Sequence, residues 1–482
     1  MTKILDTEGF QDLFDLQLNK NGLFQHTFAS EIIRKYDIRG IVNDNLFEID
    51  AYAIGLAFSQ HINISETKTV TVGYDGRHSS CLLESALIKG LLAGGAAVTR
   101  IGLVPTPMLY YSVHHLAADA GIIVTGSHNA PDYNGFKIML KDRPFYGDDL
   151  QELAFNAADG LYPNKQGRMK TADVKTSYLG RLNRTYHGKK TLSVVWDPGN
   201  GAAGEIVQEL ASTLPGCHCV INGDIDGDFP NHHPDPTVPS NLEQLKQAVI
   251  EGKHDLGIAF DGDGDRIGAV DSNGQIIAAD RLLTLFSKDI LARNPEATFI
   301  ADVKTSQTFF DTINKLGGNA IMWNTGHSLI KTKMIETNAL LAGEMSGHIF
   351  FADSYYGFDD ALYAAVRLIS LIAQSSLSFE EMCASLPTAQ ATPEIRISCP
   401  ENQKQNIMEN ILNLVSSSID DICTIDGIRV SNDHGWWLIR PSNTEPVLVA
   451  RCESWSPNSL QKLTNKVKEL IEQQGLQFNI TS

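Results

Sequence analysis

Leu256-Gly257-Ile258-Ala259-Phe260-Asp261-Gly262-Asp263-Gly264-Asp265-Arg266 runs from a short apolar stretch straight into three aspartates separated by glycines. A brief apolar run closed by a turn signal reads as a buried strand of a parallel sheet. Ligands of such sheets gather just beyond the carboxyl ends of the strands. The same layout occurs twice more. Gly121-Ile122-Ile123-Val124 precedes Thr125-Gly126-Ser127-His128-Asn129, and Ala339-Leu340-Leu341-Ala342 precedes Gly343-Glu344-Met345-Ser346-Gly347-His348. Three loops so placed can face one cleft, and they read as metal site, nucleophile and ligand site respectively.

Working outward from these loops, each closes a longer unit. Val70 to Gly73, Leu192 to Trp196 and Thr298 to Ala301 look like first strands, and each leads into an aspartate, at Asp75, Asp197 and Asp302. A helix-like stretch and a second apolar run follow each, at Ala96 to Ile101, His218 to Ile221 and Ala320 to Trp323. The pattern is a threefold α/β repeat with irregular spacing. After about Leu386 the character changes. A helix-like run from Glu401 to Ser416 and a strand pair, Trp436 to Ile439 and Val447 to Arg451, suggest a fourth, α+β domain. Between those strands lies Arg440-Pro441-Ser442-Asn443-Thr444-Glu445-Pro446, where a cation, two hydroxyls and an amide suit phosphate oxygens.

The aspartate loop can converge three hard oxygens on one divalent cation, because its glycines let the backbone turn tightly. It is not an EF-hand: the sixth position from Asp261 is Arg266 rather than glycine, and the twelfth is Ser272 rather than glutamate. Three carboxylates favour magnesium shared with a phosphate oxygen. Asp224, Asp226 and Asp228 form a second acidic triplet that lacks the flanking arginine and reads as a surface loop. Ser127, just after a strand, is placed where a hydroxyl can be exposed to an incoming group. It is not a hydrolase nucleophile elbow, since Asn129 stands where the second glycine belongs. Lys137 is a cation candidate ten residues on. Gly199-Asn200-Gly201-Ala202-Ala203-Gly204 matches a dinucleotide fingerprint, with Asp224 further along. Asp197-Pro198 separates it from its strand, and nicotinamide chemistry gives the other loops no role, so a glycine-rich helix start packed on its sheet is favoured over NAD binding.

Composition bounds the rest. The chain of 482 residues is long enough for roughly three to four domains. It is 43% hydrophobic and 20% charged, without an apolar run that could span a bilayer. A net charge of −18 argues against a nucleic-acid partner, which needs many Lys and Arg contacts to phosphates. A small phosphate remains compatible with a few clustered cations. Met1 to Phe14 carries Asp6, Glu8 and Asp12 instead of a basic start and an apolar stretch, and the seven cysteines are scattered, so a reducing cytoplasm is expected.

Taken in order, Tyr36-Asp37-Ile38-Arg39-Gly40, the Ser127 loop through Asn134-Gly135-Phe136-Lys137, the Asp261 loop, the Glu344 loop and the Arg440 loop resemble the α-D-phosphohexomutases. Within them the chain is most similar to the bacterial phosphomannomutase/phosphoglucomutase branch, from about residue 30 onward. The resemblance implies an α/β fold: three related α/β domains with mixed sheets and a C-terminal α+β domain around a central active-site cleft, divided as 1–173, 174–275, 276–387 and 388–482. It implies reversible interconversion of hexose 1-phosphate and hexose 6-phosphate, of mannose or glucose, through a phosphoserine and a hexose 1,6-bisphosphate. Ser127 would carry the phosphate, and Ser127, Asp261, Asp263 and Asp265 would hold Mg2+. Arg39, Lys137 and Arg266 match positions near the transferring phosphoryl group. Glu344 and Ser346 match residues that bind sugar hydroxyls. Arg440, Ser442, Asn443 and Thr444 match the grip on the other phosphate, and Lys304 and His327 further substrate contacts. Tyr36 and His128 lie in active-site motifs. His348, Lys137 and Arg39 are the candidates for moving the proton. Met345 favours this branch over the phosphoglucosamine mutases, the nearest alternative; a sugar-phosphate-binding protein without turnover is the other. Hexose phosphates are thus the expected partners, with no nucleic acid or membrane, and a monomer as the default. Ala130 precedes Pro131 where many relatives have two prolines, a change in loop stiffness. The leader before about Ser30 reads as a helix on the first domain or an arm.

Overall fold

The computed structural model describes residues 22–62, 68–163, 165–416, 421–442 and 446–479. They divide into two compact units, residues 1–276 with 358–379, and residues 277–357 with 380–482. The helix Ala361–Gln374 therefore belongs with the first unit, where its N-cap Asp360 also accepts Tyr178 Oη at 2.9 Å.

In the first unit, strands β1 (Ile38–Ile41), β2 (Thr69–Tyr74), β3 (Ala97–Leu103), β4 (Ala120–Val124), β5 (Tyr133–Leu140) and β6 (Arg168–Thr171) form one sheet in the order β1-β5-β4-β2-β3-β6. A second sheet, β11-β10-β9-β7-β8, is built from β7 (Leu192–Asp197), β8 (Gly216–Val220), β9 (Leu256–Phe260), β10 (Ile267–Asp271) and β11 (Ile276–Ile277). The second unit holds β12 (Thr298–Asp302), β13 (Asn319–Trp323), β14 (Leu341–Gly343) and β15 (Ile349–Phe351) in the order β13-β12-β14-β15. Its last sheet is antiparallel and comprises β16 (Gln390–Ala391), β17 (Ile395–Ser398), β18 (Asp421–Cys423), β19 (Ile428–Asn432), β20 (Gly435–Pro441) and β21 (Val447–Ser454).

The threefold repeat is present. In each α/β sheet the unit's first strand lies between its second and third, all parallel: β3-β2-β4, β8-β7-β9 and β13-β12-β14. The strand that follows each third strand then returns antiparallel: β5 on β4, β10 on β9 and β15 on β14. The sheets are mixed, so the three strands before the chemical loops have a parallel neighbour on one side only. The reason is loop length. A parallel return needs a crossover of a dozen or more residues, whereas an antiparallel return needs only a hairpin. Thr125 to Asp132, Asp261 to Arg266 and Glu344 to His348 are too short for anything else.

The aspartates at the ends of the first strands are all buried, and they brace loops. Asp75 Oδ2 accepts Thr125 Oγ1 and Gly126 N at 2.8 and 3.1 Å, and Asp302 Oδ1 accepts Met345 N at 3.4 Å. Asp197 instead accepts Gly199 N at 3.0 Å and contacts His232 Nε2 at 2.9 Å. The leader is neither helix nor arm where it is described. Phe24 bonds Leu161 through both its N–H and its carbonyl, and Phe24, Phe28 and Ile32 join the first domain's core, because three large apolar side chains there gain more from burial than from water. Residues 1–21 lie outside the described residues. No helix among the described residues is long and apolar enough to cross a membrane.

Candidate active site

The hairpin between β4 and β5 carries Ser127, and the hairpin between β9 and β10 carries the three aspartates. The two loops abut. Gly262 sits so close that a Cβ there would lie 2.4 Å from the Ser127 carbonyl oxygen, and Gly264 turns the loop at φ +76°, in the left-handed region that only glycine enters cheaply. Ser127 itself holds φ +50°, uncommon for serine. Its Oγ lies 3.2 Å from both Asp261 Oδ2 and His128 Nδ1. The hydroxyl is not an exposed tip as expected. Ser127 is 1% exposed, because the left-handed turn folds it in against the neighbouring aspartate loop.

Asp261, Asp263 and Asp265 are all 0% exposed, and oxygens from the three lie within 4.8 Å of one another. Three like charges in a dry site require a cation. Lys137 supplies one. The antiparallel register sets Lys137 opposite Ile123, and its Nζ donates to Asp263 Oδ2 at 2.7 Å and Asp265 Oδ2 at 2.5 Å. Burial disfavours this ammonium, yet Asp263 and Asp265 outweigh burial and hold its pKa well above the usual lysine value. Burial would also raise Asp263, but the charge and hydrogen bond of Lys137 and the hydroxyl of Thr106, 2.5 Å from Oδ2, hold it below the carboxylate range. Asp261 goes the other way, pushed well up by burial and then by Asp263 and Asp265, with Arg266 Nε 3.9 Å away as partial relief. Asp261 Oδ1 accepts the N–H groups of Asp265 and Arg266 at 3.0 and 3.1 Å, and Asp263 Oδ1 is buried without a hydrogen-bond partner. An all-oxygen donor set with excess negative charge and an unused buried oxygen fits a hard divalent cation.

Arg39, on β1 opposite Gly135, donates to Asp37 Oδ2 at 2.5 Å and to Asn129 Oδ1. Tyr36 is half-buried, with Lys35 Nζ 5.5 Å from its ring centre. The dinucleotide-like glycines serve the aspartate loop. A Cβ on Gly201 would lie 2.7 Å from the Gly262 carbonyl oxygen, and Ala202 N donates to that same oxygen at 2.9 Å. The second acidic triplet is a largely exposed turn in which Asp228 N caps Asp226 Oδ1 at 3.0 Å.

In the second unit, Glu344 is buried, and its Oε1 accepts Gly326 N at 2.5 Å. Burial, then Asp302, raise its pKa against the opposing pull of His348. His327 and His348 stack with ring centres 5.7 Å apart. Ser346 is half-buried in the same hairpin. Lys304 Nζ contacts Glu394 Oε2 at 3.2 Å, and Lys304, followed by Arg396, holds Glu394 down at about 2. Arg440 is paired through Nε with Asp426 Oδ2 at 2.9 Å, and the same oxygen accepts Thr325 N at 3.0 Å. Ser442 O accepts Lys404 Nζ at 2.8 Å. Asn443 and Thr444 lie outside the described residues.

Sequence reasoning gave no site role to Asp75, Arg77, Thr106, Lys404 or Asp426, all of which touch site loops. The signal for the first two was present: Asp75-Gly76-Arg77 ends a first strand at the place where Asp197 and Asp302 end theirs.

Along the chain, residues 30–158, 176–274 and 278–389 match the family descriptions Phosphoglucomutase/phosphomannomutase, alpha/beta/alpha domains I, II and III, and residues 394–470 match its C-terminal domain. A Phosphomannomutase/phosphoglucomutase of Pseudomonas putida is 44% identical over 90% of this chain and 93% of its own. A Phosphoglucomutase of Neisseria gonorrhoeae is 41% identical over 92% of this chain and 98% of its own. A crystal structure of a Phosphoglucomutase/phosphomannomutase family protein from Burkholderia thailandensis superimposes with a TM-score of 0.88 at 38% identity, covering 94% of this chain and 100% of that one. With all four segments in order and relatives above 40% identity over nine-tenths of its length, the chain belongs to the phosphoglucomutase/phosphomannomutase family.

Proposed function

We propose that the chain interconverts hexose 1-phosphates and hexose 6-phosphates of glucose and mannose, with Ser127 as the phosphate carrier and a hexose 1,6-bisphosphate as intermediate and activator. The observation that carries the reading is a serine hydroxyl 3.2 Å from one carboxylate of a fully buried, cation-demanding triplet. Magnesium held by Asp261, Asp263, Asp265 and a Ser127 phosphate oxygen would supply positive charge to the transferring group. Lys137, Arg39 and Arg266 add charge and orientation around it.

The phosphate on Ser127 passes to the free hydroxyl of a bound hexose phosphate, the Ser127 O–P bond breaking as the sugar O–P bond forms. The bisphosphate then turns over in the site and returns its other phosphate to Ser127. The hydroxyl's proton needs an acceptor. His348, Lys137 and Arg39 are the candidates. Glu344 and Ser346 would orient sugar hydroxyls, and Lys304, His327, Arg440, Ser442, Asn443 and Thr444 the phosphate that does not react. Tyr36 and His128 support the loops they sit in. The scattered positions of the seven cysteines support a reducing cytoplasm as the setting.

The test is phosphorus NMR of the protein with magnesium and trace glucose 1,6-bisphosphate, given the α-1-phosphates of glucose, mannose and glucosamine in separate tubes. The 6-phosphates of glucose and mannose should appear. Conversion of glucosamine 1-phosphate alone, or unchanged spectra from protein whose mass shows phosphate on Ser127, would refute the substrate assignment.

A further inference from the structure

We infer that Arg77 is a positioning residue for phosphoryl transfer: its guanidinium gathers four main-chain carbonyls of the Ser127 loop and so fixes the direction of the Ser127 hydroxyl. The inference rests on the phosphoserine reading above. Arg77 sits three residues beyond the end of β2, with no accessible side-chain surface. Nη2 donates to Ser127 O at 2.8 Å and Asn129 O at 2.6 Å, and Nη1 to Ala130 O at 2.5 Å and Tyr133 O at 3.0 Å. Asp75 stands behind it, with Oδ2 3.3 Å from Nε and Oδ1 accepting Arg77 N at 3.0 Å. The Phe229 ring centre lies 5.1 Å from the guanidinium carbon.

A guanidinium in so dry a place is disfavoured, and burial draws its pKa below the ordinary arginine value. What it returns is loop geometry. The Ser127 carbonyl is tied to Arg77, and the Ser127 N–H donates to Thr125 Oγ1 at 2.8 Å, while Thr125 Oγ1 in turn donates to Asp75. Both main-chain groups of Ser127 are thereby held at φ +50°, a left-handed conformation that serine keeps only where its surroundings enforce it. The freedom left is the χ1 rotor, which carries Oγ to Asp261 and His128. A planar fork with five donors can reach four carbonyls at once, and a lysine ammonium with three cannot. All the donors of Nη1 and Nη2 point at carbonyls, so the group acts through the loop and not on the phosphate.

Gly126 gives a second handle on the same contact, since a Cβ there would lie 2.5 Å from both the Cζ and Nε of Arg77. Wild type, Ser127→Ala, Arg77→Lys and Gly126→Ala are each mixed with glucose 1,6-bisphosphate and magnesium, quenched over time and weighed intact, alongside steady-state kinetics. Arg77→Lys and Gly126→Ala should reach the wild-type extent of phosphorylation about 100-fold more slowly, with kcat falling in parallel and KM within about threefold. Phosphorylation at the wild-type rate in either variant would overturn the inference. So would a reduced extent reached at the wild-type rate, which signifies a smaller folded fraction and no positioning. Gly126→Ala keeps the guanidinium, so it decides the matter even where Arg77→Lys folds poorly. Failure of the phosphoserine reading looks different: wild type would take up no phosphate, or Ser127→Ala would take it up.

Discussion

Replacing Lys137 with Met tests the electrostatics of the aspartate loop directly. Lys137 Nζ is 2.7 and 2.5 Å from Asp263 and Asp265, and both carboxylates are fully buried. Methionine fills similar volume, so the packing loss is small. Removing one member of a buried ion pair costs about 3–5 kcal/mol. Protonating an aspartate is a partial escape, because burial and its two neighbours already push Asp261 well up, so the loss falls toward the lower end of that range. In EDTA, hydrogen-exchange protection of peptides from the 256–271 hairpin should therefore fall by about two to three orders of magnitude in Lys137→Met. Magnesium at 100 times the variant's dissociation constant restores about 2.7 kcal/mol, and the same concentration should stabilise wild type less, because there the ammonium competes for the same oxygens. Wild-type protection of the variant in EDTA, or protection indifferent to magnesium, would refute both the charge argument and the metal assignment.

Thr106→Val removes the hydroxyl that donates to Asp263 Oδ2 at 2.5 Å, and in metal-free buffer the urea midpoint should report a loss of about 2 kcal/mol. Gly201→Ala places a methyl 2.7 Å from the Gly262 carbonyl oxygen, so it should destabilise by about 1–3 kcal/mol and weaken magnesium binding measured calorimetrically; unchanged affinity would disconnect the glycine loop from the aspartates. His232 gives a pH signature. Burial lowers its pKa, but the hydrogen bond to and charge of Asp197 outweigh burial and leave it raised. The contribution is thus fully present below about pH 6.5, the unfolded value, and is lost as pH rises through the higher folded value. The melting-temperature advantage of wild type over His232→Gln should shrink from pH 6 to pH 9, and a constant gap would contradict the ion pair.

The apolar runs, the three chemical loops and the threefold repeat were legible in the chain because each is local: a strand's burial and a turn's residues are written within a few positions of one another. The proposal of Ser127, Asp261, Asp263 and Asp265 as site residues came from the same short-range grammar. What the tertiary structure decided was direction and partnership. The hairpins made the sheets mixed, and the register of β5 on β4 brought Lys137 to aspartates 126 and 128 positions away. Thr106 met Asp263 across 157 positions, and Arg77 met its four carbonyls across 50 to 56. The fingerprint at Gly199 to Gly204 shows the converse: its spacing suggested a cofactor, while packing gave its glycines to the neighbouring loop. A hydrogen bond or an ion pair depends on which surfaces come within about 3 Å, and that is set by sheet order, register and burial acting together, none of which is encoded at any single spacing along the chain.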